Sequence, residues 1–336
     1  MRDIEINCIA ASRTWRGGVV VDDDVRPDEV AAEIRDPDNL VWIDLLRPDV
    51  GELAVLVHEL GLPSTAVEDA LAPFERPKVS RHEDYLFFTV YATRLKPHDH
   101  LDPTKGRMEF SRVSGIMTPH ALVTIRLDDG FDMARAEQSW REDVDLMQYG
   151  AGALVHGLLD VVVDGHFDTI QALDDETEQL EDVLFGASHP NAGFIRQLYG
   201  LRKDLVDLRR VVLPMREVVN GVLRHRTGDH PELDSWYDDL YDHVLRAAEW
   251  TESLRDMVAT MFETHLSLQD SRLNQIMKKL AGWAAIIAVP TAITGWFGQN
   301  VPYWGFNQPW GVGLSVGLIL VSSVGLYLLF RLNDWV

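Results

Sequence analysis

Cysteine is nearly absent from this chain. Cys8 is the only one in 336 residues, which excludes an intramolecular disulfide and a cysteine-based zinc site and suits a reducing compartment. Basic residues are scarce as well: 31 Lys and Arg against 53 Asp and Glu leave a formal net charge of -22. That balance argues against nucleic acid and against anionic membrane surfaces, both of which require basic patches. It favours cationic partners, although acidic surfaces also serve simply to keep a protein in solution. No Gly-Lys dipeptide occurs, so there is no Walker loop and no sign of nucleotide-driven work. No nucleophile–base pair or metal triad stands out, which leaves an enzyme the least supported class. The start, Met1-Arg2-Asp3-Ile4-Glu5, carries acids where a secretory signal has a basic and then apolar run, so none is expected. What remains is 46% apolar, ample for a buried core.

Charge is missing altogether from two stretches, Leu280 to Phe297 and Gly311 to Phe330. At a rise of about 1.5 Å per residue these runs cover roughly 27–30 Å, the hydrocarbon thickness of a bilayer. One such run is compatible with a buried core helix; two, closing an otherwise highly charged chain, point to membrane spans. The connection from Gln299 to Trp310 is too short to hold a domain, so the spans form a hairpin with both long ends on one side. Lys278 and Lys279 precede the first span and Arg331 follows the second, whereas the connection has no basic residue. The positive-inside rule then places the N-terminal part and the C-terminus in the cytoplasm.

Ahead of the spans the pattern changes twice. Leu40 to Leu45, Tyr85 to Tyr91, Val113 to Met117 and Ala121 to Ile125 are short β-rich runs flanked by turn residues. Val50 to Leu60 and Ser64 to Leu71 have helical spacing, with Ser64 as the expected cap of the second and Glu68 close behind. Residues 1–145 therefore read as an α/β domain. The stretch Lys96 to Pro103 holds His98, Asp99, His100 and Asp102, which are metal-ligating types but read better as a solvated hairpin loop. From about Gly150, apolar residues recur every three or four positions (Leu154, Leu158, Val161, Ile170, Leu173, Leu180), and a second helix is expected from Phe194 to Arg224. Residues 146–232 thus form a helical hairpin.

Between Pro231 and Pro290 there is no proline and a single glycine, Gly282. One helix can run from about Leu233 into the membrane, some 60 residues or roughly 90 Å. Its stripe of Trp250, Leu254, Met257, Met261, Leu268, Leu273, Ile276 and Leu280 keeps nearly coiled-coil spacing. A lone helix cannot satisfy such a stripe, so packing on copies of itself or on the preceding hairpin is expected. The division is then 233–279 stalk, 280–298 first span, 299–310 connecting loop, 311–330 second span and 331–336 tail.

The first span ends in Gly295-Trp296-Phe297-Gly298-Gln299-Asn300-Val301-Pro302. At this place it resembles the Gly-Met-Asn signature of the CorA metal-ion transporter family. Trp42-Ile43-Asp44-Leu45, Ala66-Val67-Glu68-Asp69-Ala70-Leu71, Arg76-Pro77-Lys78-Val79, Leu213-Pro214-Met215-Arg216-Glu217 and Leu273-Asn274-Gln275-Ile276-Met277-Lys278 look like family landmarks in the family's order. So do Leu158-Leu159-Asp160 and Tyr241-Asp242-His243. Gln299 departs from the signature methionine, and the loop lacks the acid that many magnesium-type members carry.

The resemblance implies a homopentameric funnel in a plasma or inner membrane, with the first spans around a central pore and no organic cofactor. Gly298, Gln299 and Asn300 would form the selectivity filter. A ring of Asn300 carboxamides accepts hydrogen bonds from hydrated magnesium without stripping its water, and binds weakly enough to release it. Below it, Gly295, Thr291, Ala288 and Ala284 would line the pore, followed by Leu280 and Met277 as an apolar constriction and Asn274 as a second polar ring. Close helix packing favours the same small residues. The resemblance also implies regulatory magnesium between neighbouring cytosolic domains, held by Asp69, Glu68, Asp239 and Asp160; a solvated acidic face is the plainer account of these acids. A dication entering down a potential of about 100 mV, inside negative, gains roughly 4–5 kcal/mol, so uptake needs no energy source. The expected function is therefore magnesium uptake, with cobalt or nickel as further cargo. The alternatives are a zinc transporter of the same architecture, proton-coupled or not, and a non-conducting membrane regulator.

Overall fold

A computed structural model describes residues 7–23, 25, 29–59, 64–72, 75–97, 105–186, 192–225 and 230–335. The chain divides into two compact units, Met1–Ala259 and Thr260–Val336. Residues 98–100 and 102 of the His/Asp loop lie outside the described residues.

The first unit is built on seven strands: β1 (Ile9–Arg16), β2 (Val19–Asp22), β3 (Asn39–Leu46), β4 (Lys78–Arg81), β5 (Leu86–Leu95), β6 (Met108–Met117) and β7 (Ala121–Arg126). They lie in the order β2-β1-β3-β7-β6-β5-β4. Only β3 and β7 pair in parallel, with Trp42 beside Leu122 and Asp44 beside Thr124; the other pairs are antiparallel.

Alternation along the strands builds two cores from one sheet. Leu40, Trp42, Leu86, Phe88, Val90, Val113 and Leu122 point to one face. Val41, Ile43, Leu45, Phe87, Ile116, Val123 and Ile125 point to the other. The second face is covered by α1 (Val30–Arg35), α2 (Val50–Glu59) and α3 (Thr65–Leu71). Ser64 precedes α3 but its side chain makes no capping bond and its backbone is already helical, so the expected cap is absent.

Over the first face lie α4 (Met133–Glu142), the long α5 (Ala151–Phe185) and α6 (Ala192–His225), and the N-terminal part of α7 (Asp234–Phe297). Trp140 of α4 is the hub: its ring stands edge-on to Trp42 at 4.8 Å and to Trp15 at 6.3 Å, and its Nε1–H donates to the Leu154 carbonyl at 3.0 Å. Gly115 faces Phe88 so closely that a Cβ would sit 2.2 Å from the ring, which is why a glycine interrupts β6. On the same face Asp44, fully buried, accepts from Thr124 Oγ1 at 2.7 Å and from Arg126 Nε at 3.1 Å. Such a buried charge persists only because its partners are complete.

The second unit contains the C-terminal part of α7 and α8 (Pro309–Leu332). α7 runs for 64 residues through Pro290. Both helices are long and apolar enough to cross a membrane.

Candidate cation pathway and regulatory acids

In an α-helix each residue turns by about 100°. On that count Asn274, Met277, Leu280, Ala284, Ala288, Thr291 and Gly295 fall within roughly one third of the circumference of α7. All seven are exposed in the single chain, Leu280 by 65%. The structure therefore leaves these expected pore residues on one accessible face.

The end of α7 is built by its own loop. Gly298 N–H donates to the Thr294 carbonyl at 2.9 Å and Gln299 N–H to the Trp296 carbonyl at 3.3 Å, so the helix closes on the expected filter residues. Tyr303 folds back, its hydroxyl donating to the Phe297 carbonyl at 2.7 Å and its ring standing between Phe297 (5.1 Å) and Phe306 (5.3 Å). Gly305 has φ +95 and lies against Trp310 and Gly311, a conformation and a closeness that a side chain would oppose. An aromatic brace thus holds the turn, while the exposed carboxamides of Gln299 and Asn300 hydrogen-bond to no described residue. They remain available to a hydrated ion or to another chain.

The expected regulatory acids occupy two places. Glu68 and Asp69 sit in α3, Glu68 exposed and Asp69 half-buried. Asp69 Oδ1 accepts from Lys78 Nζ at 3.0 Å. Asp160 of α5 and Asp239 of α7 belong to a second group with Asp164, Asp143 and His243. Burial, then the charge of Asp164, pushes the Asp160 carboxyl up to about 6; His243 opposes the shift, and Asp239 and Asp143 add to it. His243 lies 3.7 Å from Asp239, and its ring stands edge-on to Phe167. Its Nδ1 is buried with no partner.

A carboxylate such as Asp160, whose charge is disfavoured by burial and then by neighbouring acids, is relieved by a hard dication with oxygen ligands, so this donor set fits magnesium. Among the described residues, no three His, Cys, Asp or Glu side chains of one chain come together as a metal cage. Asp69 and Asp160 are on separate elements of the chain, and a complete shell would need water or another chain's donors. Lys78 and His243 were legible only as parts of larger landmarks. Their contacts with acids depend on folding, although the i,i+4 spacing of Asp239 and His243 was a local clue.

Two apolar helices joined by an uncharged, aromatic-braced loop thus follow an α/β unit along the chain. The model of the family described as CorA-like Mg2+ transporter protein matches residues 37–332, and the chain belongs to that family. It is 26% identical over 316 residues to the cobalt/magnesium transport protein CorA of Thermotoga maritima, across 91% of this chain and 86% of that protein. It is 25% identical over 303 residues to the zinc transport protein ZntB of Cronobacter sakazakii, across 86% of each. The complete structure of the CorA magnesium transporter from Methanocaldococcus jannaschii shares the fold, with a TM-score of 0.71 at 24% identity over 99% of this chain and 100% of that one.

Proposed function

We propose that the chain assembles as a homopentamer in the plasma or inner membrane and conducts magnesium into the cytoplasm, with both termini cytoplasmic. The observation that carries this reading is the accessible face of α7 from Asn274 to Gly295, ending at exposed Gln299 and Asn300 carboxamides without a hydrogen-bond partner among the described residues. Copies of this face around an axis make a channel with small or mildly polar walls, closed at Met277 and Leu280 and entered through Gly298, Gln299 and Asn300. Amide oxygens suit an ion that keeps its water. Cytosolic magnesium held by Asp69, Glu68, Asp239 and Asp160 between neighbouring chains screens their repulsion and favours the closed packing, so its loss shifts the population toward opening.

The test is flux of magnesium, cobalt, nickel and zinc into liposomes holding the purified protein, with and without a pH gradient. The detergent complex should have the mass of about five subunits. Asn300→Ala should cut magnesium flux at least tenfold, a barrier change of about 1.4 kcal/mol, without altering that mass. Full flux in this variant, or a stable monomer, overturns the reading. The 25% identity to the zinc transport protein ZntB supports a second reading, zinc transport on the same architecture. Zinc flux exceeding magnesium flux, with Gln299→Met reversing the order, would support it.

A further inference from the structure

Asp69 lies in the last turn of α3, and the end of that helix is tied down from the sheet. Arg112 of β6 donates through Nη2 to the carbonyls of Asp69 at 2.8 Å and Ala70 at 2.7 Å, and through Nη1 to that of Ala72. The Asp69 backbone is therefore fixed, and its carboxylate stands at the negative end of a helix, where a cation is favoured. That cation is already present. Lys78, the first residue of β4, reaches Asp69 at 3.0 Å and Glu75 at 3.3 Å. The side chains of Lys78 and Asp69 are 24% and 27% exposed. Phe87 supports the Lys78 ammonium at 5.6 Å from its ring centroid. Burial works against the Lys78 charge, but the hydrogen bonds it donates to Asp69 and Glu75 outweigh it and raise its pKa.

A dication and an ammonium cannot share one carboxylate without repelling each other. We propose that Lys78 is a tethered competitor at Asp69, an internal ammonium that holds the carboxylate when no dication is bound and gives it up when one arrives. Glu75 is the second half of the device: it keeps the displaced ammonium paired, so release strands no charge. Lys78 would thereby set the magnesium concentration at which the cytosolic domain responds. The proposal rests on Asp69 being a ligand of the interprotomer ion, as proposed above.

The test follows magnesium protection of the full-length protein in detergent, as the concentration giving half-maximal resistance to limited proteolysis, with calorimetric titration alongside. Removing a part-exposed ion pair should lower the half-maximal concentration by about two- to fivefold in Lys78→Met. Lys78→Arg should restore the original value. Lys96→Met removes the same charge from a lysine paired with Glu109 and should change nothing. Lys78→Gln replaces the methionine variant if circular dichroism shows that variant misfolded. An unchanged midpoint in the Lys78 variants, with protection still lost in Asp69→Asn, overturns the competitor and leaves the regulatory site standing. Undiminished protection in Asp69→Asn means that Asp69 is not a ligand, and both ideas fall.

Discussion

The two units of this chain spend their apolar residues in opposite ways. Up to Ala259, large side chains such as Trp15, Trp42, Phe87, Phe88 and Trp140 are almost wholly enclosed by their own chain. From Thr260 onward, Leu273, Ile276, Met277, Leu280, Ile287, Val316, Leu320 and Val321 are exposed, and Gly311 is the sole buried residue of α8. An exposed apolar surface of this extent is not a solvated surface. The first unit solves its burial problem alone; the second leaves its apolar surface to surroundings its own residues do not supply. Relative exposure therefore means different things in the two units.

Mutations test that difference directly. The largest effect is expected at Trp140, 1% exposed at the centre of the first unit. Trp140→Ala removes the Trp15 and Trp42 contacts and should cost about 3–5 kcal/mol, read as local loss of hydrogen-exchange protection in the strands and α5. Val321, 74% exposed in the middle of α8, should be nearly as intolerant. Val321→Arg places a charge in hydrocarbon and should oppose insertion by about 2.5–3.5 kcal/mol, measured as the fraction recovered in membranes. Normal insertion would show that α8 does not face lipid and would remove the contrast between the units.

The smaller effects concern pH and belong to the first unit, where two groups of α5 act with opposite sign. His166 is buried and donates to the Tyr91 carbonyl at 2.8 Å. Burial brings its pKa down from 6.5 to about 4. Its folded form resists the proton, so stability is lost as pH falls from 6.5 through 4, by about 3 kcal/mol at most. Asp160, raised from 3.8 to about 6, contributes stability that is present below 3.8 and lost as pH rises through 6. Melting temperatures between pH 4 and 7 should show His166→Gln flattening the acid limb. Asp160→Asn should raise stability at pH 7 in chelator by about 1 kcal/mol, discounted for solvent screening. It should also lose magnesium protection; a variant that keeps that protection would count Asp160 out of the regulatory site.

Legibility in the sequence followed the range of the interactions. The strands at Leu40, Tyr85, Val113 and Ala121 and the helices at Val50, Ser64, Gly150, Phe194 and Leu233 were all expected, because period two and period 3.6 are local properties. β5 extends to Leu95 and β6 begins at Met108, beyond the expected runs, because each supplies the other's ladder partners. β1, β2, β4, α1 and α4 were missed: the strands β2 and β4 are short edge strands, and α4, although Met133, Ala136 and Trp140 fall on one helical face, was overlooked. Asn274, Met277 and Asn300 were named from the family's signature together with helical spacing. The Lys78–Asp69 pair joins a helix to a strand, and no spacing rule predicts it.

By itself the sequence determined the two apolar C-terminal helices, the long helix of which the first is part, and the family. A charge in hydrocarbon is costly wherever it falls, so the uncharged runs are read locally; proline is the weaker constraint, since α6 contains Pro214 and α7 continues through Pro290. Only the tertiary structure decided which acids are already neutralised and which are crowded. Asp69 and Asp160 look alike in a string of letters. Folding brings an ammonium to 3.0 Å from the first. Around the second it gathers Asp164, Asp239 and Asp143 in a partly buried setting, and the field at a carboxylate is the sum over everything folding places near it.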